Sequence, residues 1–435
     1  MGAAFAARDS HNAEQQEESS IMQGAFTRES VNRNPMQVSL PTGEGRRPLE
    51  ERGGLPPWAY DNAELTELEK ELVFRRNWLL VGHIGQIPDA GDYMTLDVAD
   101  ERALVVRGDD GTVRAFHNLC RHRGSRVVAE PKGNCGKVIT CPFHGWCYNL
   151  DGRLRGVPRP KTFPKLDRTQ YGLKPLEFEI WQGFVFVRFG GSGPSMAEVM
   201  APVEADFAGR RMDELRAYDQ PWSYEFELDW KAALDVDNEG YHVPVAHPSL
   251  NDLYGHTYRD NILSKKLNVA IGDFGDKPAS LWSVRHYMKL LPEMSDLPAD
   301  QRRSWRYYGV FPNLVITLFP DLVDFYQFFP IDSRRSVMRG GYLALPDSSR
   351  EMRLTRYLNR RINRMTGDED IQLIKWAWEG YRSSAFEDIM LSDDEQVVRA
   401  YHDRLREALP VLNLREAPAP GTIAARNQEL GGAAV

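Results

Sequence analysis

Two short stretches, Cys120–His122 (CRH) and Cys141–His144 (CPFH), decide the fold of the first half of this chain. They lie in a region of short β-branched and aromatic runs separated by turns such as Asp151-Gly152, a pattern typical of a small all-β domain made of hairpins. Each stretch offers one cysteine and one histidine. Two such loops at the tip of a β domain can hold a cluster in which thiolates bind one iron and imidazoles bind the other.

The order of these residues argues against a structural zinc site, which commonly has two cysteines followed by two histidines. The chain has 4 cysteines, all between positions 120 and 147. In a reducing compartment, clustered cysteines indicate metal or redox chemistry rather than disulfides. Cys135 and Cys147 lie outside the two stretches, and we expect them to be free cysteines of the core.

The composition excludes several classes of protein. With 435 residues, 42% of them hydrophobic, the chain is long enough for several domains with cores of their own. A formal net charge of -8 argues against a nucleic-acid-binding surface, which would be basic. No apolar run is long enough to span a bilayer, and the N-terminus has no signal-peptide pattern, so we expect a cytoplasmic protein without a membrane partner.

The residue pattern divides the chain into four parts: a disordered leader (1–54), an all-β domain with a preceding helix (55–172), a second domain (173–416) and a flexible tail (417–435). We expect the preceding helix over Glu64–Asn77. The second domain alternates strands with long helices, which predicts an α+β fold, with a sheet curled around a helix. Its long helical region, 348–409, is expected to be interrupted near Gly367 and Ser392.

A pair of histidines, His242 and His247, lies in the second domain. On a regular helix, residues five apart point in different directions, but Pro244 does not fit a continuous helix. A helix that ends near His242 would let His247 turn back towards the same ion. Two imidazoles and one carboxylate with open positions are the ligands of oxygen-activating ferrous enzymes. A histidine pair beside a proline is also a common structural feature.

The cluster stretches and the residues after them resemble the motif of Rieske proteins. Gly124 follows the first stretch, and Gly145 and Trp146 follow the second. In the respiratory-chain branch of that family an extra cysteine in each loop forms a disulfide. Ser125 and Phe143 stand at the corresponding positions here, so the resemblance is to the branch of soluble oxygenases and ferredoxins.

The chain continues far beyond the length of a ferredoxin. Its Glu239, His242 and His247-Pro248 resemble the signature of the aromatic ring-hydroxylating dioxygenase alpha-subunit family of Rieske non-haem iron oxygenases. This resemblance implies an N-terminal all-β Rieske [2Fe-2S] domain. It also implies a C-terminal helix-grip catalytic domain, in which a curved antiparallel sheet surrounds a helix.

The resemblance also implies two cofactors, a [2Fe-2S] cluster and a mononuclear non-haem Fe(II). The implied cluster ligands are Cys120, His122, Cys141 and His144, and the implied iron ligands are His242, His247 and Asp370. Asp368, Glu369 and Glu387 remain alternatives to Asp370. Any of these acids could also have a structural role, because a carboxylate at the start of a helix interacts favourably with the helix dipole. Glu239 occupies the position that, in the family, connects the cluster of one subunit with the iron of its neighbour.

The implied function is that of a terminal oxygenase in a multicomponent system, which uses O2 and electrons from NAD(P)H to hydroxylate an aromatic substrate. One alternative is oxidative N- or O-demethylation of a quaternary amine or an aryl ether. Another is a non-catalytic iron–sulfur electron-transfer protein. The implied partners are a ferredoxin or a flavin reductase, or both, and further copies of the chain in a homotrimer, either alone or together with a beta subunit.

Two further features have open interpretations. The aromatic-rich segment 305–329 is expected to contribute to the substrate pocket, or only to the sheet core: its members are Trp305, Tyr307, Tyr308, Phe311, Phe319, Phe325 and Tyr326. A flat apolar wall suits an aromatic ring, whereas an aromatic box suits a methylated ammonium ion. Arg121, Arg123 and Arg126 either steer an acidic electron donor or form local ion pairs.

Overall fold

A computed structural model describes residues 53–347 and 349–433. The predicted leader therefore lies outside the described residues except for Gly53 and Gly54. These two are ordered rather than disordered, because Gly53 forms a β-bridge with Met390 and the Gly54 N–H donates to the carbonyl of Ile389 (2.7 Å). None of the described helices is both long enough and apolar enough to cross a membrane.

The first domain is built from antiparallel hairpins, as predicted. One sheet has the order β4-β3-β2-β5, another has the order β6-β7-β8, and a third has the order β1-β10-β9. The strands are β1 (Leu79–His83), β2 (Asp92–Val98), β3 (Glu101–Arg107), β4 (Val113–His117), β5 (Lys132–Asn134), β6 (Val138–Thr140), β7 (Cys147–Asn149), β8 (Leu154–Gly156), β9 (Glu177–Trp181) and β10 (Phe184–Arg188). Tyr148 and Ile139 pack with both cysteines of the predicted cluster in one buried core.

The sheet that contains β1 includes strands on both sides of the boundary predicted at residue 173. β1 pairs with β10, and β10 pairs with β9, so the residues from 177 to 188 complete a sheet of the first domain. Phe116 and Pro175 form a further bridge just before β9. The pairing partner of β10 lies about 100 residues earlier in the chain, and such a long-range contact leaves no local trace in the sequence.

The second domain contains one large antiparallel sheet and most of the helices. β11 and β12 both pair with β18, and from there the order is β18-β17-β16-β15-β14-β13. The strands are β11 (Arg216–Ala217), β12 (Trp222–Phe226), β13 (Arg259–Ser264), β14 (Leu267–Asp273), β15 (Ser304–Val310), β16 (Leu314–Leu318), β17 (Val323–Asp332) and β18 (Arg335–Ala344). The helices of the described chain are α1 (Ala63–Glu69), α2 (Met196–Met200), α3 (Glu204–Ala208), α4 (Trp230–Asp237), α5 (Val243–Ala246), α6 (Pro248–Leu253), α7 (Trp282–Leu290), α8 (Arg350–Tyr381), α9 (Gln396–Ala408) and α10 (Ile423–Glu429).

The two faces of the large sheet have different roles. Side chains alternate between faces along a strand, so Tyr308 and Tyr307 of β15 point to opposite sides. Tyr308 packs with Ile316, Phe325 and the helix residue Phe207 in an apolar core. Tyr307 points to the other face, which α8 covers in part. The α+β architecture predicted from the sequence is confirmed.

Helix α8 is not interrupted at Gly367, contrary to the expectation from sequence. It runs without a break for 32 residues. A glycine in a helix interior costs only about 1 kcal/mol relative to alanine. Leu358 and Ile362 before it, and Ile374 and Trp378 after it, are buried in core clusters that offset this cost.

Helix α1 lies in a buried core that contains residues of both domains. Leu65 belongs to the same cluster as Val187 of the β domain and Trp230 of the second domain. Helix α1, which continues as a wider turn over Lys70–Phe74, carries Glu69 into a fully buried ion cluster. Glu69 accepts a hydrogen bond from Nε1 of Trp230 (2.8 Å) and lies 2.7 Å from Nζ of Lys231. Asp229 lies 2.9 Å from the same ammonium group. Helix α1 therefore connects the β domain with the second domain.

The flexible tail predicted from residue 417 is also incorrect for the described residues. Helix α10 places Ile423 and Asn427 in buried positions. Asn427 accepts a hydrogen bond from the Val411 N–H (3.2 Å), and the Gly421 N–H donates to Glu64 of α1 (2.6 Å). The segment is polar in composition, but these few tertiary contacts are enough to order it.

Candidate iron sites

The two predicted cluster loops fold in the same way. The carbonyl of Cys120 accepts a hydrogen bond from the Gly124 N–H, and the carbonyl of Cys141 accepts one from the Gly145 N–H, both at 3.0 Å. These glycines have φ values of 74° and 68°, in the region that other residues rarely adopt. The turns leave both thiols buried and within hydrogen-bonding reach of each other.

The histidines of the two loops lie beside each other. The ring centroids of His122 and His144 are 4.7 Å apart, and Trp146 stacks on His122 at 5.0 Å with an angle of 7° between the planes. Nδ1 of His122 is buried and has no hydrogen-bond partner among the described residues. A buried polar atom without a partner is costly, and coordination of a metal would satisfy it. The residues present therefore fit an iron–sulfur cluster.

Tyr148 supports the first loop, a role that the sequence analysis missed. Its hydroxyl lies 3.3 Å from Sγ of Cys120 and accepts a hydrogen bond from the Arg121 N–H (3.0 Å). Burial raises the pKa of the Cys120 thiol, and this hydroxyl opposes the shift. Tyr148 thus orients the sulfur atom and stabilises negative charge on it.

The predictions for Cys135, Cys147 and the arginines near the cluster loops are confirmed only in part. Cys135 and Cys147 are free, as expected, but they are half-buried rather than in the core. Arg126 forms an ion pair with Asp97, so the local alternative holds for this arginine. Arg123 lies over the exposed ring of Phe143 at 5.3 Å, at the surface next to His144.

The second site brings His242, His247 and Asp370 together. Their ligand atoms all lie within 4.8 Å of one another, and this group could hold a metal ion. Nε2 of His242 is 3.0 Å from Nε2 of His247, and Oδ1 of Asp370 lies 3.4 Å and 2.8 Å from these two nitrogens. Two imidazoles and one carboxylate that converge in this way fit a ferrous ion.

The local structure that creates this convergence differs from the prediction. Helix α4 ends at Asp237, before either histidine. His242 precedes the single turn α5 and His247 follows it, so one turn of helix brings the two rings to the same side. Asp370 lies in the middle of α8 and not at a helix start. An interaction with the dipole at a helix start therefore does not explain the presence of Asp370.

Besides Asp370, each of the two histidines contacts a further carboxylate through its other ring nitrogen, Nδ1. Glu239 contacts Nδ1 of His242, and Glu369 lies 2.8 Å from Nδ1 of His247. Burial alone would lower the pKa of His242, but Asp370 and Glu239 outweigh it and raise the pKa to about 10. The site thus stabilises positive charge. A carboxylate at each Nδ1 favours a proton on that nitrogen, which is the tautomer whose Nε2 can bind a metal. Glu369, an alternative ligand in the sequence analysis, instead positions His247.

A narrow cavity lies beside the loop that carries the histidines. Its volume is only about 10 Å³, which is room for about one water molecule. Asp237 and Asn238 line it from the end of α4, and Tyr258 and Tyr307 line it from the opposite side. The ring of Tyr258 packs so closely on Gly240 that an added Cβ would lie 2.2 Å from it. This contact connects the cavity with the loop that contains Glu239 and His242.

Only part of the aromatic segment 305–329 contributes to this cavity. Tyr307 lines it, and the hydroxyl of Tyr326 donates to Asp237 (2.7 Å). Tyr308 and Phe325 belong to the apolar core on the other face of the sheet, and Phe311 belongs to a third cluster. The pocket interpretation therefore fits Tyr307 and Tyr326, and the alternative, a role in the core, fits Tyr308, Phe311 and Phe325.

Comparison with known sequences agrees with this geometry. Residues 77–169 match the Rieske [2Fe-2S] domain, and residues 212–410 match the catalytic domain of the ring hydroxylating alpha subunit. The alpha subunit of 2-aminobenzenesulfonate 2,3-dioxygenase from an Alcaligenes species is 37% identical over 294 residues, which cover 64% of this chain and 68% of that subunit. This chain belongs to the ring-hydroxylating oxygenase alpha-subunit family.

Other members of the family differ in the substrate that they are named for. The oxygenase subunit of glycine betaine monooxygenase from Chromohalobacter salexigens is 37% identical over 198 residues. This match covers 45% of the present chain and 43% of that relative, so the chain spans less than half of its length. A solved quaternary ammonium Rieske monooxygenase, described for carnitine oxidation by gut microbiota and inter-subunit electron transfer, has the same fold. Its TM-score is 0.68 at 21% identity, and the match covers 83% of this chain and 98% of that one.

Glu369, whose carboxylate contacts Nδ1 of His247, should contribute to the affinity for iron. We expect Glu369→Ala to weaken ferrous ion binding about 10–100-fold, because such outer carboxylates fix the ring and raise its basicity. Glu369→Gln keeps an acceptor for Nδ1–H and should recover part of the affinity. Competition with a chelator measures the iron affinity, and the visible spectrum checks that the cluster is unchanged. Glu379→Ala, an exposed acid on the same helix, is the control and should bind iron like the wild type.

Proposed function

We propose that this chain is the oxygenase subunit of a multicomponent system that oxidatively removes a methyl group from a methylated ammonium compound. The observation that carries the proposal is the convergence of His242, His247 and Asp370 in a chain whose relatives include oxygenase subunits named for quaternary ammonium compounds. Hydroxylation of an aromatic ring was our first interpretation of the sequence. The relatives named for glycine betaine and for quaternary ammonium compounds favour its alternative, demethylation, and give no support to a role in aromatic hydrocarbon catabolism.

Two features near the iron ligands are compatible with an ammonium head group. Tyr258 and Tyr307 lie close to the loop of the iron histidines, and aromatic rings attract an alkylated cation that cannot donate hydrogen bonds. Asp237, at the end of α4, adds an exposed carboxylate beside them.

The ligand sets support both cofactors. We assign the [2Fe-2S] cluster to Cys120, His122, Cys141 and His144, and the ferrous ion to His242, His247 and Asp370. When bound, the two centres supply electron transfer and oxygen activation. The carboxylates of Glu239 and Glu369 would fix the orientation of the two imidazoles that hold the ferrous ion.

The proposed reaction balances with a reduced nicotinamide as the electron source. A methyl C–H bond of the trimethylammonium group becomes C–OH with one oxygen atom of O2, while the other atom leaves as water after uptake of two electrons and two protons. The N–CH2OH product then breaks its C–N bond. Formaldehyde and a proton are released, and the nitrogen keeps the electron pair as a tertiary amine. The oxygenase needs a reductase partner to deliver the two electrons.

A second copy of the chain is the other partner that we propose. Tyr241 and Val245 flank His242 in sequence and are exposed, and Phe143 is exposed next to His144. Apolar side chains at both predicted metal sites suit burial against another surface. Glu239 would then connect the cluster of one copy with the iron of the next, as the family resemblance implies.

Formaldehyde release tests the proposed function. The protein is loaded with ferrous iron and supplied with NADH, O2 and a flavin-containing reductase. Tetramethylammonium, choline, glycine betaine, benzoate, 2-aminobenzenesulfonate and an aryl methyl ether are offered separately. We expect at least one of the three ammonium compounds to give formaldehyde in about equal amount to the O2 consumed. Hydroxylation of an aromatic acid without formaldehyde from any ammonium compound would refute the proposal.

A further inference from the structure

We propose that Tyr60 is a positioning residue of the iron site, although it lies far from the iron histidines in the chain. Tyr60 joins the two elements that carry the proposed ligands: α4, which leads to His242, and α8, which carries Asp370. This inference rests on the proposed assignment of the iron ligands. It does not depend on which substrate is oxidised.

The hydroxyl group of Tyr60 holds the last turn of α4. It donates a hydrogen bond to Oδ2 of Asp235 (2.5 Å), and Nε2 of His402 lies 2.8 Å from Oδ1 of the same carboxylate. The Leu55 N–H donates to Nδ1 of His402 (3.2 Å), so the neutral ring carries its proton on Nε2 and donates it to Asp235. Tyr60 and His402 are fully buried. Hydrogen bonds to a carboxylate in such surroundings are strong, and they fix the end of α4.

The backbone and the ring of Tyr60 hold α8. The carbonyl of Tyr60 accepts a hydrogen bond from Nε1 of Trp378 (2.9 Å), and its ring packs on Tyr381 with the centroids 4.9 Å apart. Trp378 lies about two turns after Asp370 on this helix. The short 3₁₀ helix Pro57–Tyr60 therefore contacts α4 and α8 at the same time.

The position of α4 relative to α8 affects how well the iron ligands converge. His242 follows shortly after the end of α4, whereas Asp370 lies in the middle of α8, and a metal site needs its ligands within about 0.5 Å of the required geometry. Leu234 of α4 and Ile374 of α8 share a buried apolar core, but apolar contacts have no preferred direction. The hydrogen bonds of Tyr60 are directional, so they fix the register of the two helices.

Tyr60→Phe removes only the hydroxyl group and keeps the ring and the carbonyl. We expect it to weaken ferrous ion binding about 10-fold, the lower end of the effect of groups that orient metal ligands. Competition with a chelator measures the affinity. The EPR signal of the nitric oxide complex of the bound ferrous ion should also change in shape, because the ligand angles change. Tyr381→Phe is the matched control and should resemble the wild type, since its hydroxyl makes no hydrogen bond with the described residues.

Asp235→Ala removes the same hydrogen bond from the side of α4. The double variant Tyr60→Phe, Asp235→Ala should bind iron about as weakly as Asp235→Ala alone, because the contact is already lost in the single variant. Losses that add up in full would show that the two residues act separately, and they would overturn the proposal.

Urea denaturation of the same variants distinguishes positioning from stability. A lower midpoint in Tyr60→Phe, with the iron affinity and the EPR signal of the wild type, would show that Tyr60 has a structural role only and would overturn the inference. Failure of the ligand assignment is a different result, because the wild-type protein itself would then bind no ferrous ion besides its cluster. The visible spectrum of the cluster is recorded for each variant and should not change.

Discussion

Replacement of Asp370 by alanine is expected to remove the mononuclear iron and to lower substrate turnover by at least about three orders of magnitude, because two imidazoles alone hold a ferrous ion poorly. Oδ1 of Asp370 lies within 3.4 Å of both Nε2 atoms, and no other carboxylate reaches this point in the described residues. The iron content should fall from about three to about two atoms per chain, because the cluster retains its own ligands. The visible spectrum should not change.

Glu387 provides the matched control for this substitution. It was an alternative third ligand, and the structure places it on the exposed surface after α8 and outside the group that could hold a metal. Glu387→Ala should keep full iron content and full turnover. Full iron and activity in Asp370→Ala, or loss of iron in Glu387→Ala, would contradict the assignment of Asp370.

Replacement of Lys231 by methionine is expected to destabilise the protein by about 3–5 kcal/mol, since it leaves two carboxylates buried without their cation. Lys231, Glu69 and Asp229 are fully buried, and the ammonium nitrogen lies 2.7 Å and 2.9 Å from the two acids. Burial raises the pKa of Asp229 to about 7, and Lys231 opposes this shift. The cluster joins α1 to α4, the helix that leads into the Glu239 loop.

Urea denaturation of the cofactor-loaded protein measures this effect, and Lys265→Met is its control. Lys265 forms an ion pair with Glu407 at the surface, where both side chains are exposed, so its removal should cost no more than about 1 kcal/mol. If the two variants unfold at the same urea concentration, the buried cluster contributes nothing beyond an ordinary surface pair. A Glu69→Gln, Lys231→Met double variant should regain part of the loss, because it removes one of the stranded charges.

The sequence predicted well the features that depend on residues close together in the chain. The cluster loops depend on cysteine, histidine and glycine residues within a few positions of one another, and the turns at Gly124 and Gly145 form by nearby backbone hydrogen bonds. The hairpins of the β domain and the helical character of the region 350–408 have the same origin in short-range pattern. Asp370 was favoured over its neighbours by family resemblance, because spacing alone left four acids open.

The features that the sequence missed depend on contacts between distant segments. Tyr258, Tyr307 and Asp237 come from three separate elements and meet only when the sheet and α4 have formed. Nothing near Glu369 in the chain reveals that it contacts His247, which lies 122 positions earlier. The ion pair of Glu69 with Lys231, across more than 160 residues, was not predicted for the same reason.

The amino-acid composition led to a wrong expectation in two places. Gly367 was expected to break a helix, but one glycine cannot outweigh the buried side chains before and after it. The polar C-terminal residues were expected to be flexible, although Ile423 and Asn427 anchor a short helix. In both cases the tertiary contacts contribute more stabilisation than the local conformational preference costs.

Analysis of iron, zinc and acid-labile sulfide on one purified sample tests most directly whether this chain holds both centres of an oxygenase. The two ligand sets predict about three iron atoms and about two sulfides per chain, with little zinc, together with the visible absorption of a histidine-ligated [2Fe-2S] cluster. Zinc in place of iron, with no sulfide and no colour, would contradict the assignment of both sites.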